Sequence, residues 1–193
     1  MTPEPGTPQA RKNALRTKFL AAREARTIED AGARNTALLA YLEDIGAEVV
    51  ALYVSFGTEP DTAQLRAALR EKKVTVLLPI LEPDGALVFA LDAGLTTAGL
   101  RGIAVPTGEP APLETADVIV VPALAVDRAG VRLGRGGGSY DRALSARTTS
   151  APVIALLHPG EFVEGLPAEP HDVRVDAVAD LTGITWITRS TGH

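Results

Sequence analysis

An eleven-residue stretch, 132–142, constrains the fold of this chain more than any other part of its sequence. It holds four glycines within five positions, and it lies between an apolar run at 118–126 and a helix-forming segment at 140–147. Glycines leave backbone N–H groups uncovered, and the start of a helix adds unpaired N–H donors at the positive end of its dipole. The pattern therefore predicts a strand, a phosphate-binding loop and a helix in succession.

Three arginines, Arg132, Arg135 and Arg142, add positive charge to this loop. Their forked donors suit phosphate oxygens. The loop does not match the Walker pattern, and Ser139 stands where the dinucleotide-binding fingerprint needs its last glycine. The alternative interpretation is a flexible surface loop, which is what glycine runs usually form.

Composition narrows the class of protein. The chain has 193 residues, of which 46% are hydrophobic, so we expect a disordered lead at 1–10 and a single domain at 11–193. The absence of cysteine excludes disulfides, thiolate metal sites and a cysteine nucleophile, and it suits a reducing cytoplasm. A net charge of −5 argues against a nucleic-acid partner. No signal peptide or membrane-spanning run is visible, so we expect a cytoplasmic protein without a membrane partner.

Helix and strand patterns alternate along the chain. Helices are predicted at 11–26, at 27–44 behind a capping box formed by Thr27 and Asp30, and from a cap at Asp61 or Thr62 to residue 73. Strands are predicted at 48–56, 74–80, 86–91, 117–126, 152–157 and 184–188, and the turn at 83–85 indicates a hairpin. Residues 92–115 predict a long functional loop. This order predicts a three-layer α/β/α domain with a mostly parallel, mixed sheet.

Two further groups of polar residues are candidates for ligand binding. Lys12 and Arg16 lie one turn apart on the first predicted helix, and the alternative for them is a solvated basic face. Glu59 follows a predicted strand, at the edge where open α/β sheets bind their ligands. Its alternative role is that of a surface partner of the helix that starts nearby.

The stretch 132–142 resembles the signature of the 5-formyltetrahydrofolate cyclo-ligase family, Arg-Leu-Gly-Arg-Gly-x-Gly-Tyr-Tyr-Asp, which is usually followed by arginine. The chain departs from it at Ser139, where a tyrosine is usual. Serine there is interpreted as a helix N-cap, and the alternative is the loss of a ring that stacks on substrate. The resemblance is densest at 53–62, 118–142 and 166–180, and it implies the family's three-layer α/β fold.

The resemblance also implies a set of site residues. The ATP-binding residues would be Lys12, Arg16, Arg132, Leu133, Gly134, Arg135, Gly136, Gly137, Gly138, Ser139 and Tyr140. Arg135 and Tyr140 would be catalytic, while Val54, Glu59 and Tyr140 would bind the folate substrate. Residues 168–176 resemble the family's His-Asp-x-x-x-Asp segment, so Asp141 and Asp172 would hold Mg²⁺. Asp176 is expected to order the local backbone, and His171 is given no role.

The reaction implied by the resemblance is an ATP-dependent ring closure. The formyl oxygen of 5-formyltetrahydrofolate would attack the γ-phosphate of ATP, and the phosphorylated imidate would close to 5,10-methenyltetrahydrofolate with release of phosphate. We expect a monomer that binds ATP, Mg²⁺ and this folate. The residues alone leave three alternatives open: a sugar-phosphate enzyme, a dinucleotide oxidoreductase and a non-catalytic nucleotide-binding module.

Overall fold

The computed structural model describes residues 7–26, 32–94, 96–102 and 104–188. Its α-helices are α1 (Pro8–Glu24), α2 (Gly32–Asp44), α3 (Ala63–Glu71) and α4 (Ser139–Ala146). Its strands are β1 (Val49–Ala51), β2 (Thr75–Leu81), β3 (Leu87–Leu91), β4 (Thr96–Ala98), β5 (Ala104–Pro106), β6 (Val118–Pro122), β7 (Ala125–Asp127), β8 (Arg132–Leu133), β9 (Val153–Leu156), β10 (Phe162–Val163), β11 (Ala177–Asp180) and β12 (Gly183–Trp186). None of the described helices is long and apolar enough to cross a lipid bilayer.

Seven of the described strands form one sheet in the order β12-β11-β9-β6-β1-β2-β3. The five inner strands are parallel to one another, while β3 and β12 are antiparallel to their neighbours. The mostly parallel, mixed sheet is therefore confirmed. The predicted hairpin is confirmed as β2 and β3, whose turn contains Gly85 with a left-handed φ of +85°.

Side chains of the parallel strands alternate between two hydrophobic clusters, one on each face of the sheet. In β2, Val76 and Leu78 belong to the cluster that contains Leu38 of α2 and Leu65 of α3. Leu77, between them, faces the opposite cluster, which contains Leu144 of α4. This period of two with both faces apolar is what a buried parallel strand requires. Helices therefore cover both faces, as the three-layer prediction requires.

The predicted strand at 117–126 is wrong in one respect, because the chain changes sheets within it. β6 ends at Pro122, and β7 joins β8 and β10 in a small three-stranded sheet. The carboxylate of Asp127 accepts hydrogen bonds from the N–H groups of Ala129 and Val131, and Gly130 has a φ of +82°. These contacts close a tight β7–β8 turn, which holds the segment out of the main sheet and leads it into the glycine loop.

Several boundaries also differ from the predictions. Helix α1 begins at Pro8 rather than residue 11, because the Thr7 hydroxyl accepts from the Ala10 N–H and proline suits the first helical turn. Three residues of the predicted disordered lead are thus helical. Strand β1 is shorter than 48–56, since the Thr62 hydroxyl bonds to the Tyr53 carbonyl and draws the chain into a loop. Strands β4, β5, β8, β10 and β11 were not predicted, and the antiparallel pair of β4 and β5 lies within the predicted long loop at 92–115. The capping box at Thr27 and Asp30 lies outside the described residues.

Candidate functional site

A cleft of about 350 Å³ opens where the carboxyl ends of the parallel strands β1, β2 and β6 meet. Its polar lining comes mainly from α1, the loop after β1, the glycine loop and the segment 169–172, and residues of β2, β3 and 122–124 complete it. Every residue predicted to bind ATP, folate or Mg²⁺, or to act in catalysis, lies in this lining. The fold therefore brings together residues up to 160 positions apart, while their individual roles remain predictions.

The glycine loop needs glycine at two of its positions. Gly136 and Gly138 have φ angles of +100° and +68°, a region that other residues rarely adopt, whereas Gly137 does not. A Cβ atom on Gly136 would lie 3.3 Å from the Arg16 guanidinium carbon. Gly138 is the N-cap of α4 and Ser139 is its first residue, so the interpretation of Ser139 as the N-cap is wrong.

The three arginines of the loop have different surroundings. Arg142 does not line the cleft, and its Nη2 donates to the carbonyls of Gly85 at 2.7 Å and Gly137 at 3.2 Å. It therefore braces the loop against the β2–β3 turn. Arg132 is buried, and its Nη2 donates to Asp141 Oδ1 at 2.9 Å. Arg135 is the arginine of this loop whose side chain is substantially exposed in the cleft, at 40%.

Helix α1 supplies three cations to the cleft, of which Lys12 and Arg16 were predicted. Lys12 Nζ lies 2.7 Å from Glu169 Oε2 and 2.7 and 2.9 Å from the two carboxylate oxygens of Asp172. The Lys12 side chain is 5% exposed, so a solvated basic face is wrong for it. Burial lowers its pKa, but hydrogen bonds and charges from Asp172 and Glu169 outweigh this and hold the pKa above its ordinary value. Arg16 Nε donates to the Gly134 carbonyl at 2.9 Å and so ties α1 to the glycine loop.

The two predicted metal ligands are each paired with a cation. Asp172 contacts Lys12, and Asp141 accepts from Arg132 and, at 3.3 Å, from the Val173 N–H. Glu169 was not predicted, although it stands three positions before Asp172 in the segment that resembles the family. Ligand atoms of Glu169, His171 and Asp172 all lie within 4.8 Å of one another, and the two carboxylates have the oxygen chemistry that Mg²⁺ prefers.

Glu59 and Arg135 form an ion pair across the cleft, which the sequence did not indicate. Arg135 Nε donates to Glu59 Oε1 at 3.1 Å, and the Phe56 N–H donates to Glu59 Oε2 at 3.0 Å. Arg135 Nη2 also donates to the Phe56 carbonyl at 3.3 Å, and its guanidinium lies 5.8 Å from the centre of the Phe56 ring. The loop after β1, which also carries Val54, is therefore joined directly to the glycine loop.

Tyr140 is partly buried and packs against both hydrophobic clusters of the main sheet. Burial, together with the negative charge of Glu59, raises the pKa of its hydroxyl well above the ordinary value, although the nearby charge of Arg132 opposes the shift. The hydroxyl therefore stays protonated at neutral pH. It can donate a hydrogen bond to a ligand oxygen, but it is a poor base.

Arg23 is a residue of the cleft that sequence reasoning missed. Its Nε and Nη2 each lie 2.7 Å from a carboxylate oxygen of Glu161, and Nη2 also donates to the Ala123 carbonyl. Both side chains of this pair are buried. Arg23 follows Lys12 by eleven residues, or three helical turns, so its position on the same face of α1 was a usable signal.

Comparison with known proteins gives consistent matches. Residues 8–180 match the 5-formyltetrahydrofolate cyclo-ligase family. A 5-formyltetrahydrofolate cyclo-ligase of Mycolicibacterium smegmatis is 42% identical over 143 residues, which cover 69% of this chain and 74% of that protein. One from Escherichia coli is 31% identical over 151 residues, which cover 74% and 83%. The solved structure of Aquifex aeolicus 5,10-methenyltetrahydrofolate synthetase is 27% identical and superimposes with a TM-score of 0.77 over 94% of this chain and 96% of that one.

Proposed function

We propose an ATP-dependent reaction for this chain, which belongs to the 5-formyltetrahydrofolate cyclo-ligase family and is a ligase. In this reaction it uses ATP to close 5-formyltetrahydrofolate to 5,10-methenyltetrahydrofolate. One observation carries the proposal: a glycine loop, two cations of α1 and the carboxylate of Glu59 line a single cleft. The first two suit a polyphosphate, and the third suits the N–H donors along one edge of a pterin ring.

The proposed reaction has two steps. First, the formyl oxygen attacks the γ-phosphorus of ATP, so that an O–P bond forms and ADP leaves with its bridging oxygen. Next, the second folate nitrogen attacks the activated formyl carbon and its C–N bond forms. The C–O bond then breaks, and inorganic phosphate leaves while the nitrogen loses its proton to phosphate or water. An amide oxygen leaves poorly until it is phosphorylated, so the protein has mainly to position the two substrates and to stabilise charge.

The residues of the glycine loop and α1 would supply that charge stabilisation. Backbone N–H groups at 136–138 would donate to phosphate oxygens, as would Arg135, Arg16 and Lys12. Tyr140 would donate its hydroxyl hydrogen to an oxygen near the reacting groups, since burial keeps that hydroxyl protonated. Val54 and Glu59 would bind the folate.

A magnesium ion fits the carboxylates that this cleft offers. Asp172 and Glu169 lie beside the cations that are predicted to bind phosphate, and they are the residues that would hold the ion. Asp141, at the end of the glycine loop, also lines the cleft. When bound, Mg²⁺ neutralises charge on the phosphate oxygens. The two carboxylates that would hold the ion are also the partners of Lys12, so a phosphate oxygen would give Lys12 another anionic partner.

The experiment that tests the proposal mixes the protein with Mg-ATP and 5-formyltetrahydrofolate and follows the absorbance of the methenyl product. We expect product formation that requires ATP and yields one ADP for each product molecule. Reactions without ATP, or without the folate, are the controls. A folded protein that binds ATP but makes no product would instead be a nucleotide-binding module. ADP release that depends on a sugar phosphate rather than on the folate would favour the sugar-phosphate alternative.

A further inference from the structure

Both carboxylate oxygens of Glu59, which the proposed function needs for folate, already accept a hydrogen bond. Oε1 accepts from Arg135 and Oε2 accepts from the Phe56 N–H, at 3.1 and 3.0 Å. The Glu59 side chain is only 11% exposed, whereas that of Arg135 is 40% exposed. A pterin edge that presents two N–H donors to Glu59 would therefore meet a carboxylate that already has a cationic donor on one oxygen.

Arg135 could also form stronger hydrogen bonds with a phosphate than with its present acceptors. Its present acceptors are one carboxylate oxygen and the Phe56 carbonyl, both of which belong to the loop after β1. A polyphosphate offers several anionic oxygens, and the arginine fork binds two of them at once. Because its side chain is 40% exposed, the guanidinium can turn from Glu59 toward a ligand in the cleft.

The other cations of the described cleft lining do not contact Glu59. Lys12 is held by Glu169 and Asp172, Arg16 by the Gly134 carbonyl, and Arg132 by Asp141. Arg23 is held by Glu161. Within this set, Arg135 alone belongs to the glycine loop and also contacts the loop that carries Glu59.

We propose that Arg135 is a positioning residue that couples the two substrates. In the absence of nucleotide it covers the Glu59 carboxylate, and bound polyphosphate draws it away, so that Glu59 becomes free to accept from the pterin ring. This inference rests on the proposed function. Because coupling between two binding equilibria is reciprocal, the folate must raise nucleotide affinity by the same factor.

The test is calorimetric titration of 5-formyltetrahydrofolate into the protein, with and without Mg²⁺ and an ATP analogue whose γ-phosphate cannot be transferred. For the wild type we expect the analogue to tighten folate binding by about tenfold, within the usual range of such couplings. Arg135→Gln should weaken binding of the analogue. Yet in its absence the same substitution should tighten folate binding by about tenfold, and the remaining coupling should be less than about twofold.

Arg16→Gln is the matched comparison, because it removes the same charge from the same cleft without touching Glu59. This substitution should weaken binding of the analogue. Folate affinity without the analogue should stay unchanged, and the coupling should persist once the analogue saturates the protein. If Arg135→Gln leaves folate affinity unchanged or weakens it, the ion pair supports the folate site and the proposal is wrong. Independent binding of both ligands to the wild type overturns the coupling alone, whereas a wild type that binds neither ligand overturns the proposed function as well.

Discussion

Lys12 is nearly buried, and the carboxylates of Glu169 and Asp172 compensate its charge. Asp172 faces it with both carboxylate oxygens, and that carboxylate also accepts from the Glu169 N–H at 2.7 Å. Removing one member of such a group leaves the other uncompensated, and this costs more than the pair contributes as a whole. Asp172 therefore compensates the nearly buried charge of Lys12, and in the proposed function it would also bind the metal ion.

We predict that Asp172→Asn lowers turnover and raises the Mg²⁺ concentration needed for half-maximal rate, each by roughly 10- to 100-fold. The amide keeps the shape of the side chain but loses the charge that attracts a cation. The measurement is the initial rate as a function of Mg²⁺. Asp180→Asn is the control, since Asp180 caps a turn at Thr182 outside the cleft. Unchanged Mg²⁺ dependence in Asp172→Asn would leave this residue as the partner of Lys12 alone.

Asp92 links α3 to the end of β3 through a buried carboxylate. Arg66 donates to both its oxygens at 3.0 Å, and Arg70 donates at 2.9 Å. Burial alone would raise the pKa of Asp92, but hydrogen bonds from Arg66 and the Gly94 N–H, with the arginine charges, lower it below the ordinary value. A lowered folded-state pKa stabilises the protein above the unfolded-state pKa, and this contribution is lost as pH falls through the folded-state value.

We therefore predict that Asp92→Asn lowers the free energy of unfolding by about 3 kcal/mol at pH 7, as the loss of one partner from a buried ion pair does. The difference between wild type and variant should begin to shrink below about pH 4, where the unfolded wild-type chain takes up the proton first, and should shrink further as the folded carboxylate is protonated. Urea denaturation at pH 7 and pH 3 measures both quantities. A difference that stays constant with pH would mean that Asp92 acts through packing rather than charge.

At the scale of elements, the glycine loop is shaped by its backbone as much as by its charges. We predict that Gly136→Ala weakens ATP binding by more than about tenfold, because the new Cβ meets the Arg16 guanidinium and the φ of +100° is strained. Gly160→Ala is the matched control: its φ is +82°, and no atom lies within 4 Å of the added Cβ. Both variants should lose about 1–2 kcal/mol of stability from backbone strain, and only the first should lose affinity. Equal affinities in titration would contradict a role for the loop in phosphate binding.

Helix α1 is held by a fully buried ion pair between Arg23 and Glu161, in addition to the contacts of Lys12 and Arg16. Arg23→Ala leaves Glu161 buried without its partner, and we predict a loss of about 3–5 kcal/mol in the free energy of unfolding. Lys72→Ala breaks an exposed pair with Glu43 and should cost less than about 1 kcal/mol. Urea titrations of the two variants compare them directly. Similar losses in both would mean that the Arg23–Glu161 pair does not anchor α1.

The elements that sequence reasoning predicted correctly are those whose pattern is local. An apolar run of four or five residues indicates a buried strand, and the turn at 83–85 indicates a hairpin. The strands β2, β3, β6 and β9 could therefore be predicted. The sheet change after Pro122 could not, because the apolar residues continue through Ala123 and Leu124 to Val126, and the strands that pair with β7 lie farther along the chain. Ion pairs such as Arg135–Glu59 join residues 76 positions apart, and a single sequence carries no signal for such partners.

On the scale of the whole molecule, the cleft joins parts of the chain that the sheet alone does not hold together. A ligand that contacts α1, the glycine loop and the segment 169–172 binds only the folded state and so stabilises it. At 100 times its dissociation constant, Mg-ATP should add about 2.7 kcal/mol of stability. For a domain of this size, we predict that this raises the melting temperature by about 5–10 °C.

Thermal unfolding with and without the nucleotide measures this effect. Adenosine at the same concentration is the control, and because it lacks phosphates it should shift the melting temperature far less. Equal shifts with ATP and adenosine would mean that the cations and glycine loop do not bind the phosphates.

Lys12 and Asp172 meet in the cleft although 160 positions separate them in the chain. A ribosome releases the amino end first, so Lys12, Arg16 and Glu59 emerge long before the segment that completes their site. Until Asp172 has left the exit tunnel, Lys12 lacks one of the two carboxylates that hold it and the cleft is incomplete, however much of the sheet has assembled. We therefore expect a translation product interrupted before Asp172 to lack the proposed activity.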